Sequence, residues 1–351
     1  MNFVAPIRKF VAIMRISTFV SLSLTAFLWL IVVSCKGEIK EQKFFGKALG
    51  TTYHITVQGE GESLSKQDIE ALIASLNRSL STYIPTSLIS RINRGETLRA
   101  DEHFVRVFSR AKEIYKQTGG IFDPTVGILV NAWGFGPGKK IKGIERDPSV
   151  VDSLIKFVGF DMVRIDDEGF VRKKYPEIFI DFNSIAKGYV IDRIGEFITS
   201  KGYENYLIEL GGEVLAKGQN KKSGRPWIVA VDYPVPASEN YIAELKLSNQ
   251  ALATSGNYRK YRIDRQTGQK YVHTLNPKTG YAVPSNLLSA SVVAPDCTQA
   301  DAWATACMAA GLKKAKQFIE KNEHLEALLI YSDSSGRLQV WQSNHLPLVQ
   351  N

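Results

Sequence analysis

The chain has 351 residues, of which 44% are hydrophobic, 10% aromatic and 23% charged, and 44 Lys and Arg against 35 Asp and Glu give a net charge of +9. This composition excludes a disordered polymer and fits a folded body that buries a substantial core. The charge excess is mild and contains no long Lys/Arg run, which argues against a dedicated nucleic-acid binder and suits a phosphate-bearing ligand or an anionic membrane surface.

Residues 1–34 hold Arg8, Lys9 and Arg15 and no acid, so the remainder carries 41 basic against 35 acidic side chains, or +6. These bases precede ISTFVSLSLTAFLWLIVVS, nineteen residues without a charge, and then Cys35. A basic region followed by an apolar one is an export signal, and one this long also suits a membrane anchor. VVSC before the polar KGEIKEQK resembles a bacterial lipobox, with Val32 in place of the more usual Leu. Residues 1–34 are therefore expected to be a signal peptide, Cys35 the lipidated residue and 35–43 a tether. An uncleaved anchor is the rival; in both cases the body lies outside the cytoplasm, held at a membrane. If Cys35 carries lipid, Cys297 and Cys307 remain. A disulfide is open to them in an oxidising compartment, but the apolar pattern around Cys307 favours a buried thiol.

The folded body is expected over 44–345. FFGKALGTTYHITVQ (44–58) reads as a strand behind a Gly turn. SKQDIEALIASLNRSLSTY follows, with Ser65 as N-cap and a helical stripe of Ile69, Leu72, Ile73, Leu76 and Leu80. A second helix spans about 101–117, from Asp101 to the Gly119-Gly120 stop. The segment 121–143 is rich in Gly, Pro and aromatic residues, too apolar for a solvated loop. Short strands near 161–166, 169–173 and 177–181 lead into the amphipathic helix IAKGYVIDRIGEFITSKG, then into a strand pair, YLIELGGEVLAKGQ, turning at Gly211-Gly212. Strands continue at 226–233, 241–247 and 271–275. QADAWATACMAAG (299–311) is a helix, followed by another at 312–321 and by strands near 325–341. Helices and strands mix without regular βαβ alternation, which predicts an α+β fold of mixed or antiparallel sheets flanked by helices, in one compact domain.

Five stretches carry candidate chemistry. Asp301 and Thr305 lie four apart on one helix face and offer a carboxylate and a hydroxyl, hard ligands for Mg²⁺ or Ca²⁺. The alternative is that Asp301 is simply an acid favoured by the helix dipole. DFNSIAKGYVIDR places Asp181, Ser184 and Lys187 at a strand-to-helix junction, where free N–H groups attract phosphate, although no P-loop is present. HTLNPKTG sets His273 at a strand end before a turn, where a general base or an ordinary half-exposed residue both fit. The other four histidines form no ligand cluster, and no CxxC or HxxxH zinc pattern occurs. GGIFDPTVGILVNAWGFGP and Tyr83 in STYIPTSLISRIN offer flat apolar surfaces suited either to walling a ring system or to packing.

Taken in order, LGTTYHITV, STYIPTSLISRIN, GGIFDPTVGILVNAWGFGP, DFNSIAKGYVIDRIG, IELGGEVLAKG, ATSGNYRKY, HTLNPKTG and QADAWATACMAAG resemble the bacterial ApbE family, the FAD:protein FMN transferases. The resemblance spans roughly residues 44–311 and implies an ApbE-like, T-fold-like domain. It implies a metal-dependent enzyme, usually with Mg²⁺, that breaks the pyrophosphate of FAD, moves FMN to a Thr hydroxyl of a partner protein and releases AMP. Typical acceptors are membrane subunits of sodium-pumping (Nqr) or Rnf-type complexes. The implied setting is the inner membrane, lipid-anchored and facing the periplasm, with no nucleic acid involved. By matching position, the resemblance makes Asp301, Thr305 and the Ser184 carbonyl the metal ligands and His273 the acid/base. Lys187 and Asp181 would contact FAD near its phosphates; Leu49, Tyr83, Asp123, Pro124, Thr125, Val126, Thr254, Ser255 and Leu275 would line the flavin or adenine. Leu49 stands where relatives often carry Met, and Asn183-Ser184 where they often carry Gly. Two other readings share the same residues: a metal-dependent FAD pyrophosphatase giving FMN and AMP, and a flavin-binding lipoprotein without turnover.

Overall fold

The computed structural model of the chain describes residues 39–233, 240–256, 261–263, 270–272, 274–282 and 285–349. The expected signal peptide, Cys35 and His273 lie outside the described residues. Among those described, no helix is long and apolar enough to cross a membrane, and Glu41–Asn351 cluster as one compact unit.

Eight strands build the central sheet, in the spatial order β1 (Glu41–Ala48), β2 (Thr51–Gln58), β5 (Asn205–Leu210), β6 (Glu213–Lys217), β9 (Gln250–Gly256), β12 (Leu287–Ala294), β13 (Glu326–Ser332) and β14 (Leu338–Gln342). Every neighbouring pair is antiparallel. Three two-stranded ribbons stand apart: β3 (Val163–Ile165) with β4 (Val171–Lys173), β7 (Trp227–Asp232) with β8 (Tyr241–Leu247), and β10 (Tyr261–Ile263) with β11 (Lys270–Val272). The α+β class and the mainly antiparallel sheet follow expectation.

Both faces of the sheet are covered. On β13, Ala327 and Leu329 join the main core while Leu328 and Ile330 join a second cluster, as the two-residue pleat requires. The second cluster is closed by Trp227, Val229, Val231, Leu245 and Leu247 of the β7–β8 ribbon. The main core is covered by helices, chiefly α6 (Ala186–Ser200) and α7 (Cys297–Ala310), with α1 (Lys66–Leu80), α3 (Glu102–Gln117) and α8 (Leu312–Glu320) around them. Ser65 caps α1 by accepting the Asp68 N–H at 3.1 Å, and Ile69, Ile73, Leu76 and Leu80 form its buried stripe. Asp101 caps α3 by accepting from the Phe104 N–H at 2.8 Å.

Four local expectations change. Residues 44–58 are two strands, because Leu49 (φ 51°) and Gly50 (φ 76°) make the tight turn of a hairpin. Residues 177–181 form no strand; only a single bridge joins Phe179 to Val126. Strands β9 and β12 and the short helices α2 (Leu88–Asn93) and α5 (Pro148–Ile155) were not anticipated. The apolar 121–143 segment contains α4 (Gly127–Trp133), buried through Leu129, Ala132 and Trp133. Cys297 and Cys307 are buried and free, and burial pushes the Cys307 thiol up to about 12.

Candidate functional site

The N-terminus of α6 lies against the N-terminal half of α7, and Gly188 makes the approach possible. A Cβ at Gly188 would stand 2.1 Å from the Cys297 carbonyl oxygen and 2.8 Å from the Thr298 nitrogen. One turn later on the same face, Asp192 accepts from the Cys297 and Thr298 N–H groups, each at 2.8 Å. Asp296 caps the same end by accepting from the Gln299 N–H at 2.8 Å. Two carboxylates therefore already serve the free N–H groups of α7. Asp301 lies beyond that first turn, so the dipole account does not explain it.

Asp301 is 3% exposed and accepts the Gly188 N–H through Oδ2 at 3.1 Å. Burial raises its carboxyl pKa, against the pull of Lys187 and of the Gly188 hydrogen bond. In a continuing helix the Gly188 N–H would donate to the Ser184 carbonyl four residues back; here it turns to Asp301, leaving that half-buried turn residue's carbonyl available. Thr305 follows one turn after Asp301, and its hydroxyl lies 3.3 Å from that of Ser255 on β9. Asp301, Thr305, Ser255 and the turn at Ser184 thus gather oxygen donors of the kind a hard divalent cation takes. No group of three His, Cys, Asp or Glu side chains that could hold a metal occurs among the described residues.

Lys187 stands in the first turn of α6 and its ammonium contacts Glu213 Oε1. Burial disfavours its charge, but the Asp301 and Glu213 carboxylates outweigh that and raise its pKa. Glu213 begins β6, directly after Gly211 (φ 63°) and Gly212 (φ 101°), whose left-handed backbone makes the tight turn. Burial pushes the Glu213 carboxyl up to about 7, with Lys187 opposing and Asp301 adding to the rise.

Asp181 is buried, its carboxyl raised by desolvation against hydrogen bonds from Asn183. Its N–H donates to the Pro124 carbonyl at 2.8 Å, tying the DFNS turn to the FDPT turn. Partial desolvation and the nearby Asp181 charge raise the pKa of Tyr83, a residue 61% exposed and so open to a ligand. Asp123 accepts from the Thr125 N–H at 2.8 Å, the Thr125 hydroxyl at 2.5 Å and the Phe160 N–H at 3.2 Å. Thr125 Oγ1 in turn accepts from the Gly159 N–H at 2.7 Å. These two side chains hold the turn, so what Asp123–Val126 offers a ligand is chiefly its shape.

Three expected lining residues need correction or detail. The Thr254 hydroxyl pairs with Ser291 at 2.8 Å on the face opposite Ser255, which leaves only its backbone for the site. Leu275 is 5% exposed and packs with Leu129, Ala132 and Trp133, on a loop that Trp133 Nε1 fixes by donating to the Gly280 carbonyl at 3.0 Å. Leu49 lies in a cleft of about 680 Å³ between the β1–β2 turn and α1, lined also by Glu70, Ile73, Ala74 and Asn77. Gly211 N–H donates to the Thr52 carbonyl at 3.1 Å, so this cleft adjoins the turn that carries Glu213.

The sequence expectations singled out neither Glu213 nor Asp192, and they placed Gly188 at the helix start without its close approach to α7. For Glu213 the available signal was an acid directly after Gly-Gly and directly before VLA, which places a carboxylate inside an apolar strand.

Burial makes three carboxyls weak acids: Asp123 at about 6, Asp192 at about 7 and Glu213 at about 7. Each folded-state pKa exceeds the unfolded one, so their contribution to stability is full below about pH 4 and is lost as pH rises through about 6–7. Glu41 and Asp333, held at about 2 by hydrogen bonds, titrate too low to oppose this. Melting of the ligand-free chain by scanning fluorimetry should therefore fall by at least about 2 °C between about pH 5 and pH 8, ~1 kcal/mol being worth that much in a large domain. A flat or rising profile would contradict the assignment.

The ApbE family profile matches residues 49–329. A FAD:protein FMN transferase of Haemophilus influenzae is 33% identical over 316 residues, covering 86% of this chain and 90% of its own length. One of Vibrio cholerae is 30% identical over 327 residues, covering 91% and 96%. Among solved structures, the flavin transferase ApbE of Vibrio cholerae has a TM-score of 0.77 at 30% identity, covering 88% of this chain and 98% of that one. The Pseudomonas stutzeri flavinyl transferase ApbE has a TM-score of 0.74 at 26% identity, covering 88% and 97%. Profile, sequence and backbone agree along most of the chain: it belongs to the ApbE family.

Proposed function

We propose that the chain transfers FMN from FAD to a hydroxyl of a partner protein, threonine being the expected acceptor, and releases AMP. The observation that carries this reading is the meeting of Asp301, Thr305 and Ser255 with the Lys187–Glu213 pair at the start of α6, in a family whose relatives bear that activity in their names.

In the reaction the acceptor oxygen bonds to the FMN phosphorus, the P–O–P bridge breaks, and AMP leaves with the bridging oxygen. Lys187 and the N-terminus of α6 would hold the phosphates, while the exposed Tyr83 ring and the FDPT turn would orient the flat part of FAD. Asp301, Thr305 and the Ser184 carbonyl would hold a divalent ion, Mg²⁺ by preference for hard oxygen ligands. When bound, such an ion would supply positive charge to offset the charge that builds on the phosphates. His273, by its place in HTLNPKTG, would take the acceptor proton. His273→Ala should then slow transfer about 10²-fold or more while FAD stays bound; an unchanged single-turnover rate would remove that role.

The acceptor is expected to be a membrane subunit of the Nqr or Rnf type. Cys35 would carry a lipid that keeps the enzyme at the inner membrane facing the periplasm. The deciding experiment incubates the purified chain with FAD, Mg²⁺ and a candidate acceptor domain, following AMP release and acceptor mass. AMP together with a mass gain of one FMN is expected. AMP without mass gain on any acceptor would make the chain a pyrophosphatase, and tight FAD binding with no AMP a flavin store.

A further inference from the structure

We propose that Glu213 acts as a positioning residue that keeps the Lys187 ammonium off Asp301, so that the Asp301 carboxylate stays free for a divalent cation. The inference rests on the metal site proposed above. Lys187 reaches from the first turn of α6 into a buried cluster with two carboxylates, and both interact electrostatically with it. It contacts Glu213 directly. Asp301 instead takes a neutral donor, the Gly188 N–H at 3.1 Å, which leaves its negative charge uncancelled by direct contact.

Glu213 is a costly residue for its place. It is 3% exposed, and its second oxygen, Oε2, is buried without a hydrogen-bond partner. Removing one partner of such a buried pair leaves the other charge to find a substitute. With Glu213 neutral, the remaining carboxylate of the cluster is Asp301, and the flexible four-carbon stem of lysine allows the ammonium to turn to it. An ammonium resting on Asp301 repels a cation and occupies the lone pairs that would ligate it. Glu213 thus divides two cations between two acids, Lys187 to itself and the metal to Asp301.

The test titrates Mn²⁺ into the metal-free chain without FAD and reads free Mn²⁺ by electron paramagnetic resonance, so no turnover is involved. Glu213→Gln should raise the Mn²⁺ Kd about tenfold or more, as when only about one molecule in ten keeps Asp301 free. Adding Lys187→Met to Glu213→Gln should restore the affinity to within about threefold of the parent, because the competing ammonium is gone. Lys187→Met alone should bind Mn²⁺ at least as tightly as the parent, and it carries the test if the Gln variant fails to fold. Unchanged affinity in Glu213→Gln overturns the inference, as does weakened binding in Lys187→Met. A loss in Glu213→Gln that Lys187→Met does not repair also overturns it, by making Glu213 a ligand itself. Should Asp301→Asn bind Mn²⁺ like the parent, the metal site fails first and the inference falls with it.

Discussion

Asp301→Asn is expected to lower AMP release from FAD by at least ~10³-fold, the rate equivalent of the several kcal/mol that a metal ion supplies to a reacting phosphate. Asn keeps the size of the side chain and an oxygen for the Gly188 N–H, now at 3.1 Å from Asp301 Oδ2. What it removes is the charge. Because burial raises the pKa of Asp301 in the folded chain, its ionised form works against folding near neutral pH. The metal-free Asn variant should therefore melt at or above the parent temperature at about pH 8. Mg²⁺ should raise the parent's melting temperature by mass action and leave the variant's unchanged. Loss of activity without loss of stability identifies Asp301 as a functional group rather than a packing residue. Full AMP release from the variant would sink the metal assignment, and a large drop in its metal-free stability would return Asp301 to a structural role.

The helix that carries this residue was legible in the sequence, and so was the Asp301–Thr305 pair, because spacing by four is a local property of a helix. The cap at Ser65 and the helix start at Asp101 were legible for the same reason. Strands β9 and β12 were not. They lie in the middle of the sheet with both faces covered, so QALATSG and LLSASVVA carry small and apolar residues on both faces, and the only alternation, Leu288 to Val292, sets serine against residues as small as alanine. The β1–β2 hairpin escaped because its turn is Leu49-Gly50 rather than the Asn-Gly or Asp-Gly that such turns favour. Glu213 escaped because an acid beside Gly-Gly reads as a solvated turn residue, and its burial depends on Lys187, 26 positions away. Long-range pairing of charges leaves no trace in local pattern. The family resemblance named most of the candidate site but could not tell that Thr254 and Ser255 face opposite sides of one strand.

Gly188→Ala carries the second large effect, and its sign opposes helix propensity. In an exposed helix interior, Ala in place of Gly would stabilise by about 0.8–1 kcal/mol. At Gly188 the new Cβ would meet three backbone atoms of the α7 N-terminus, the nearest at 2.1 Å and the farthest at 2.8 Å. None of these is a flexible side-chain end, so the two helices must separate. Overpacking of this kind costs about 1–3 kcal/mol or more, which should lower the melting temperature by several degrees. The functional cost should exceed the structural one, because separation breaks the Gly188 N–H bond to Asp301 and moves Asp301 relative to Ser184 and Lys187. A shift of about 1 Å in a reacting arrangement costs about 10²-fold, and AMP release should fall by that order. Gly195, two turns along α6, is the internal control. A Cβ there would meet the Leu215 Cδ2 methyl at 2.7 Å and the Tyr206 hydroxyl at 3.1 Å, both side-chain ends that can yield. Gly195→Ala should therefore keep AMP release within about threefold of the parent, far inside the 10²-fold effect that displaced catalytic groups produce. Equal losses in the two variants would mean that rigidity of α6 in general, rather than the close contact at Gly188, sets the geometry of the site.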